Sequence, residues 1–276
     1  MMKKSVNAWT IPDSFSFEEC FACAKKAGFE GIELNVDAPG HQAHSLTLET
    51  TKDELSRIRA LSEQYGVAVS GISTSLWGRN PIGAVDKEVR KQGFFLLQKQ
   101  VEYCEALGAD GVLIVPGGIG EDLSIKAAYE SALETFREWK GFIEDQKVMI
   151  GVENVWNNFF ISPMDMARFL DELSIRNLGA YFDVGNVMIF SRPEHWIEIL
   201  GKRIQKIHVK DFLKSGMNAG TFVNLMEGSA NWEKVVAALR WIGYDGYLTA
   251  ELNAMPKAND YMMDITARAL EHIISL

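Results

Sequence analysis

The feature that most constrains the fold of this chain is a helix-to-strand joint that recurs along it. Residues 26–34, 106–114 and 241–249 share one pattern, in which a helix reaches a glycine suited to a left-handed cap, the chain turns, and an apolar strand begins. Residues 64–69 contain a shortened version. Joints of this kind repeated through a chain mean that strands and helices alternate, so we expect the strands to be parallel.

Counting on that basis gives eight strands and eight helices, the count of a (β/α)₈ or TIM barrel, whereas an open doubly wound sheet usually has fewer strands. The predicted strands are residues 5–9, 31–36, 67–73, 111–115, 149–153, 179–183, 205–208 and 247–251. Helices are predicted at residues 17–27, 51–65, 86–107, 124–145 and 259–276, and after Ser162-Pro163 and Arg192-Pro193. Because nothing resembles a linker, we expect residues 1–276 to form a single α/β domain.

The predicted loops that follow strands are long, and the connections that precede strands are tight. The long loops are residues 37–50, 74–84, 116–123, 156–161 and 211–230. Barrel enzymes carry their active sites at the carboxyl ends of the strands, so the long loops predict an active face at that end.

Four of the predicted strands end in a side chain of a type that binds metal ions. These strands are largely apolar, which suits strands buried on both faces, and they end in Glu153, Asp183, His208 and Glu251. A charged group in such a strand needs a partner, and one divalent cation shared by all four would supply it. The alternative is that each is a separate, hydrogen-bonded residue at a strand end.

The ligand types define the expected cofactor and chemistry. Three carboxylates and one imidazole without a thiolate favour one Mn²⁺ ion, with Co²⁺, Mg²⁺ or Zn²⁺ as alternatives. Glu153 and Glu251 come from strands that flank the pair carrying Asp183 and His208. Two carboxylates on opposite sides of a ligand, beside a metal that polarises a carbonyl, are what is needed to move a proton next to a ketone through an enediolate.

Four segments of the second half of the chain carry a resemblance to a known family. Residues 151–154 (Gly-Val-Glu-Asn), 181–186 (Tyr-Phe-Asp-Val-Gly-Asn), 207–211 (Ile-His-Val-Lys-Asp) and 249–251 (Thr-Ala-Glu) resemble the signature segments of the xylose isomerase-like barrel superfamily. They are most similar to those of sugar and sugar-phosphate 3-epimerases, including the L-xylulose and L-ribulose 5-phosphate 3-epimerase type. The resemblance implies one Mn²⁺-like ion on all four ligands, with the two glutamates as acid and base.

Seven other residues are candidates for substrate binding: Trp77, Asn154, Trp156, Asn186, Lys210, Lys214 and Glu227. Asn186 stands where epimerases of free ketohexoses often carry histidine, which favours a phosphorylated substrate. Lys210 and Lys214 lie in or beside the loop after the seventh strand, where barrels often bind phosphate, although a flexible solvated lid is the alternative. Glu227 belongs to a segment similar to the family's Gly-Glu-Gly, with Met226 in place of the first glycine.

A few further residues have structural interpretations that compete with functional ones. Trp9 ends the first predicted strand, where core packing is favoured over a wall for the sugar. Glu33 is expected to bind a hydroxyl or to pair inside the barrel. The histidines outside the ligand segments are expected at the surface or in local hydrogen bonds: His41, His44, His195 and His272.

Composition limits the partners of the protein. A net charge of −9 and a pI near 5.2 disfavour nucleic acid and anionic membranes. No apolar run approaches the length of a membrane span, and three cysteines, Cys20, Cys23 and Cys104, fit a reducing cytoplasm. We therefore expect a cytoplasmic protein whose partner is a small sugar or sugar phosphate, and a homo-oligomer is left open.

Three other functions remain as alternatives to a sugar epimerase or isomerase. An endonuclease-type phosphodiesterase of the same barrel would need a multi-zinc cluster with further histidines, and the sequence offers Asn186 where one is expected. A keto-inositol or polyol dehydratase also begins with proton abstraction beside a carbonyl. A non-catalytic sugar-binding protein would not need the pair Glu153 and Glu251.

Overall fold

The computed structural model describes residues 1–117, 119 and 123–276, and its central feature is a closed barrel of eight parallel strands. The barrel strands are β1 (Lys3–Asn7), β2 (Gly31–Val36), β3 (Ala68–Thr74), β4 (Gly111–Ile114), β5 (Met149–Glu153), β6 (Leu178–Asp183), β7 (Ile204–Val209) and β10 (Tyr247–Ala250). Around the barrel they follow the order β1-β10-β7-β6-β5-β4-β3-β2.

The helices surround this barrel and confirm the predicted (β/α)₈ architecture. Eight α-helices occur within the described residues: α1 (Phe17–Ala27), α2 (Lys52–Tyr65), α3 (Lys87–Leu107), α4 (Ile125–Asp145), α5 (Pro163–Leu173), α6 (Pro193–Leu200), α7 (Trp232–Ile242) and α8 (Asn259–Ser275). None of these helices has the length and apolar composition that a bilayer span requires.

The caps of the helices explain why the recurring helix-to-strand joint predicted the fold correctly. Gly28, Gly66, Gly108 and Gly243 end α1, α2, α3 and α7 with φ angles of +87°, +63°, +72° and +78°, a region that favours glycine. At the other ends, Ser16 and Thr51 accept hydrogen bonds from the third residue of α1 and α2 in complete capping boxes.

The interior of the barrel is polar at its centre, unlike the apolar layer between barrel and helices. Tyr181 and Lys206 fill the space inside, and both are buried. Gly151 makes room for this packing, because a Cβ there would lie 2.8 Å from the Tyr181 ring. The phenol of Tyr181 thereby reaches towards strand β2 and donates a hydrogen bond to Glu33.

Two predictions about local structure were wrong in detail. The first strand runs from Lys3 to Asn7 rather than over residues 5–9, because residues 8–10 turn into a single 3₁₀ turn capped by the Asn7 side chain. Residues 211–230, predicted as a loop, contain an antiparallel hairpin of β8 (Asp211–Gly216) and β9 (Ala219–Val223). The predicted loop 116–123 lies partly outside the described residues.

Candidate active site

The four predicted metal-binding side chains converge at the carboxyl ends of neighbouring strands. They lie at or next to the ends of β5, β6, β7 and β10, which form a continuous arc of the barrel. Register places Asp183 opposite His208 across β6 and β7. Each of the four residues offers one ligand atom, and these atoms all lie within 4.8 Å of one another: Glu153, Asp183, His208 and Glu251.

His208 occupies the centre of this group and is oriented by a carboxylate on the other side of the barrel. Its Nε2 lies 2.6 Å from Glu33 Oε2, and both side chains are buried. Because an ionised carboxylate only accepts hydrogen bonds, this contact places a proton on Nε2. The other ring nitrogen, Nδ1, then faces Glu153 Oε1 at 3.3 Å and Glu251 Oε2 at 3.5 Å.

Glu33 is itself held by three donors. Its Oε2 accepts from Asn7 Nδ2 at 2.6 Å in addition to His208, and its Oε1 accepts from the Tyr181 hydroxyl. Burial alone would raise the pKa of Glu33, but His208, Tyr181 and Asn7 outweigh burial and lower that pKa below its ordinary value. Of the two roles expected for Glu33, the structure shows pairing inside the barrel.

Asn154, Asn186 and Trp156 hold the backbone around Asp183. The Asn154 side chain forms two hydrogen bonds of 2.9 Å with the backbone of Asp183. Asn186 donates from its backbone to Asp183 Oδ1 at 2.7 Å and from its side chain to the Asn154 carbonyl at 3.0 Å. Trp156 Nε1 donates to the Asn186 carbonyl at 2.8 Å. These contacts place the three candidates beside the ligand group.

Lys210 supplies the positive charge nearest to the candidate ligands. Its ammonium group pairs with Glu251 and lies 3.1 Å from Asp183 Oδ2. Burial alone would lower the pKa of Lys210, but Asp183 and Glu251 outweigh burial and raise it. Lys210 is therefore a charged partner of the ligand group.

The donor set fits a divalent metal ion by two observations. Apart from the ion pair with Lys210 at 3.1 Å, the buried Asp183 Oδ2 has no hydrogen-bond partner among the described residues, although buried carboxylate oxygens ordinarily have one. The Nδ1 atom of His208 faces the carboxylates, while Nε2 is bound to Glu33, which is the arrangement in which a carboxylate orients a metal-binding imidazole. An ion at this position would be held by Glu153, Asp183, His208 and Glu251.

The two glutamates of the group differ in their ionisation. Burial raises the pKa of Glu153 to about 7, with His208 opposing it and Glu251 and Asp183 adding to it. Burial also acts to raise the pKa of Glu251, but Lys210 and His208 outweigh it and lower that pKa. The environment thus separates two side chains of the same type.

A cavity of about 1010 Å³ adjoins this group at Glu251. Lys210 and Glu251 form part of its lining, together with Glu227 and with Phe222 of the hairpin. On the far side it is lined by residues of the loops after β1, β2 and β3: Trp9, Asp13, His41, Gln42 and Ser75. The volume suits a small molecule of several carbons.

The hairpin of β8 and β9 forms one edge of the cavity and is anchored by Asp211. The carboxylate of Asp211 accepts hydrogen bonds from Phe212 N, Met226 N, Ala230 N and Trp232 Nε1, at 2.9 to 3.1 Å. Phe222 of the hairpin packs against Trp156, with ring centroids 4.8 Å apart. The hairpin is thereby attached to the barrel at its base and along one side.

Met226 explains how the chain departs from the Gly-Glu-Gly pattern. Its φ angle is +73°, in the left-handed region that favours glycine. The backbone therefore keeps the conformation that the expected glycine would adopt, and a methionine occupies it. Glu227, the next residue, lines the cavity, and its role in substrate binding stays a prediction.

Of the seven substrate-binding candidates, Lys210 and Glu227 line the cavity, whereas two lie away from both the cavity and the ligand group. Trp77 is buried behind the barrel, where its Nε1 donates to Gln100 Oε1 at 3.1 Å and to the Leu113 carbonyl at 3.2 Å. Lys214 is exposed on the hairpin, and its Nζ lies 3.5 Å from the Ser191 carbonyl. Trp9, by contrast, was expected to pack in the core, and it lines the cavity.

The structure adds His41 and Asp37 to the site. His41 lines the cavity with its side chain half exposed, and its Nδ1 lies 3.4 Å from Asp37 Oδ2. Surface position was expected for His41, and its short polar loop carries no periodic pattern that could have indicated the cavity. His44 is buried, with Nδ1 2.8 Å from the Phe15 carbonyl, which agrees with the local hydrogen bonding expected.

The sequence matches a family of known proteins over most of its length. The model of the xylose isomerase-like TIM barrel family matches residues 21–275. An L-ribulose-5-phosphate 3-epimerase of Escherichia coli is 26% identical over 275 residues, which cover 94% of this chain and 93% of that protein.

Solved structures resemble the chain over nearly its whole length. The structure described as IOLI protein with a binding zinc atom gives a TM-score of 0.83 at 16% identity, covering 99% of this chain and 98% of the other. A D-allulose 3-epimerase from Methylomonas sp. in complex with D-allulose gives a TM-score of 0.77 at 19% identity, and the match covers 99% of this chain and 96% of the other. At these identities the similarity shows the fold.

Proposed function

The chain belongs to the xylose isomerase-like TIM barrel family, and on that premise we propose that it is an isomerase, a divalent-metal-dependent sugar epimerase. The observation that carries this proposal is the convergence of four ligand atoms within 4.8 Å of one another, in a group whose Glu251 lines a cavity. The names of the relatives support the reaction type, since both a sugar-phosphate 3-epimerase and a free-sugar 3-epimerase resemble the chain. We treat residues 1–276 as one catalytic domain.

We propose that Glu153, Asp183, His208 and Glu251 hold one ion, with Mn²⁺ preferred and Co²⁺, Mg²⁺ or Zn²⁺ as alternatives. The bound ion supplies charge that polarises the carbonyl of the sugar and its neighbouring hydroxyl. Glu33 keeps the proton of His208 on Nε2 and so keeps Nδ1 directed at the ligand group. Asn154 and Asn186 fix Asp183 through its backbone and its Oδ1.

Proton transfer is assigned to the two glutamates. Epimerisation removes a proton from one face of the carbon next to the carbonyl and returns one to the other face. It therefore needs two groups, and Glu153 and Glu251 are the carboxylates of the ligand group that come from the two ends of its arc of strands. Lys210 balances the charge of Glu251 and Asp183. Glu227 borders the substrate in the cavity, and Trp156 supports Phe222, which lines the same cavity.

Solvent deuterium exchange tests this function. The protein, loaded with Mn²⁺, is incubated in heavy water with ketopentoses, ketohexoses and their phosphates, and exchange is followed by proton NMR. We expect exchange at one carbon next to the carbonyl, together with formation of the epimer, and loss of both when the metal is removed. Exchange with water release and no epimer would instead identify a dehydratase, and binding without exchange a sugar-binding protein.

The phosphodiesterase alternative has less support. The metal-binding group found within the described residues holds one histidine, and a multi-zinc cluster would need several. The net charge of −9 also opposes a nucleic-acid substrate. A cytoplasmic location and a homo-oligomeric state remain predictions.

A further inference from the structure

The wall of the cavity that lies across the barrel from β5, β6 and β7 is organised by one buried carboxylate, Asp37. Its side chain follows β2 and is 0% exposed. Its Oδ2 accepts from Trp9 Nε1 at 3.2 Å and from Ser45 Oγ at 2.7 Å. Its Oδ1 accepts from Ser75 Oγ at 3.3 Å, and His41 Nδ1 lies 3.4 Å from Oδ2.

Three of these four partners line the cavity: Trp9, His41 and Ser75. Asp37 therefore positions one side chain from each of the loops after β1, β2 and β3. Since His41 faces Asp37 with Nδ1, its Nε2 is the ring nitrogen left for a ligand. Ser75 uses its hydroxyl proton on Asp37 and keeps oxygen lone pairs that can accept from a ligand hydroxyl.

The charges of the cavity oppose an anionic ligand at this wall. Among the described residues that line the cavity, Lys210 is the one lysine or arginine, whereas Asp13, Glu227 and Glu251 are carboxylates. Lys210 is committed to Asp183 and Glu251. A bound divalent ion would not free Lys210 from this pairing. Three carboxylates around an ion of charge +2 leave one negative charge, which the Lys210 ammonium balances.

We propose that Trp9, His41 and Ser75 form a subsite for the uncharged, hydroxylated end of an open-chain sugar, so that the protein prefers a free ketose to its terminal phosphate. Trp9 provides an apolar surface for the carbon chain, while His41 and Ser75 exchange hydrogen bonds with its hydroxyls. The inference rests on the proposed function and names the substrate class. It differs from the preference for a phosphorylated substrate that the family pattern at Asn186 favours. In the structure the Asn186 side chain donates to the Asn154 carbonyl and is not among the residues that line the cavity.

Matched pairs of a ketose and its phosphate test this preference. The metal-loaded protein is given L-ribulose and L-ribulose 5-phosphate, and D-fructose and D-fructose 6-phosphate, and kcat/KM for deuterium exchange is measured. Because like charges placed together oppose binding, we expect the free sugar to be favoured by at least about tenfold. Preference for the phosphorylated member would overturn the inference and leave the proposed function intact.

Two variants and one control locate the subsite. His41→Ala should raise KM by about three- to tenfold with little change in kcat, the effect of losing one hydrogen bond to an uncharged group. His41→Gln should lower KM part of the way back to the native value. His195→Gln, on the outer face of α6, is the matched control. Equal KM values for His41→Ala and the control would refute the role of His41.

Binding of unreactive probes separates this inference from the proposed reaction. Ribitol and ribitol 5-phosphate have no carbonyl, so saturation-transfer NMR reports their fit without turnover. The subsite is supported if ribitol binds, if its binding weakens in His41→Ala, and if ribitol 5-phosphate does not bind. This holds even if no sugar exchanges deuterium, a result that would reject only the epimerase function. Binding of the phosphate in preference to ribitol would overturn the subsite.

Discussion

Glu33 Oε2 and His208 Nε2 lie 2.6 Å apart inside the barrel, although their strands, β2 and β7, are not neighbours in the sheet. The contact connects the half of the barrel that carries the candidate ligands to the half that does not. It also determines which nitrogen of His208 faces the ligand group. Glu33 is thus a positioning residue for the proposed metal site.

Substitution Glu33→Gln should weaken metal binding by about ten- to a hundredfold, the usual effect of removing a carboxylate that orients a metal-binding histidine. The measurement is titration of metal-free protein with Mn²⁺ in a calorimeter. Thermal unfolding without metal shows whether the variant is folded. The matched control is Asp37→Asn, a buried carboxylate at the end of the same strand. An affinity equal to that of the native protein would remove Glu33 from the site.

Metal affinity should rise with pH through about 7. In the metal-free protein, burial raises the pKa of Glu153 to about 7. For His208, burial alone would lower the pKa, but Glu33 and Glu251 outweigh it and raise the pKa well above its ordinary value. Both groups therefore hold protons at low pH that a metal must displace, and affinity falls about tenfold per pH unit for each proton displaced. Calorimetry in buffers of different ionisation enthalpy counts the protons released on metal binding. Release of no protons at pH 6 would contradict the assignment of Glu153 and His208 as metal ligands.

Glu153→Gln and Glu251→Gln should each lower epimerase turnover by about a hundred- to ten-thousandfold. Each metal-loaded variant should still exchange the substrate proton on the face that the remaining glutamate serves, so the two variants should differ in which epimer exchanges. Metal content is determined first by elemental analysis, since both residues are proposed ligands. Near-native turnover in both directions by either loaded variant would show that the two-base mechanism is wrong.

Asp211→Ala should destabilise the protein by about 2–4 kcal/mol, because the substitution leaves four donors at the base of the hairpin without their acceptor. Urea unfolding measures the change. Limited proteolysis should show earlier cleavage within residues 211–230. Asp264→Asn, which alters an exposed pair with Arg268, should shift the free energy of unfolding by no more than about 0.5 kcal/mol.

Met226→Gly should make the protein slightly more stable, by up to about 1 kcal/mol. A side chain in the left-handed region costs about 1–2 kcal/mol, of which the greater flexibility of glycine in the unfolded chain offsets about half. Chemical unfolding of both proteins gives the difference. Met226→Ala keeps the Cβ in the same conformation and should bring no gain, so an equal gain from alanine would exclude backbone strain as the cause.

The strand-end ligands could be predicted from the sequence because each ends an apolar strand in a chain with recurring joints. Glu33 could not be assigned, because every residue of β2 is buried and burial alone does not say which side chains point to the barrel axis. Trp77 illustrates the same difficulty, since a buried tryptophan beside a strand end fits both the cavity and the outer core. The hairpin was missed because apolar and polar side chains do not alternate strictly over residues 211–223, and because Gly216 and Gly220 interrupt them as in a loop.

All four candidate ligands belong to residues 149–251, whereas Trp9, Asp37, His41 and Ser75 belong to the first third of the chain. The proposed metal centre and the proposed sugar subsite are therefore encoded in separate parts of the gene, joined inside the barrel by Glu33 and His208. Mutations in the early loops can change which sugar is accepted while the ligand group is inherited unaltered. In evolution, a barrel divided in this way can acquire new substrates by drift in its first half, provided that Glu33 is retained.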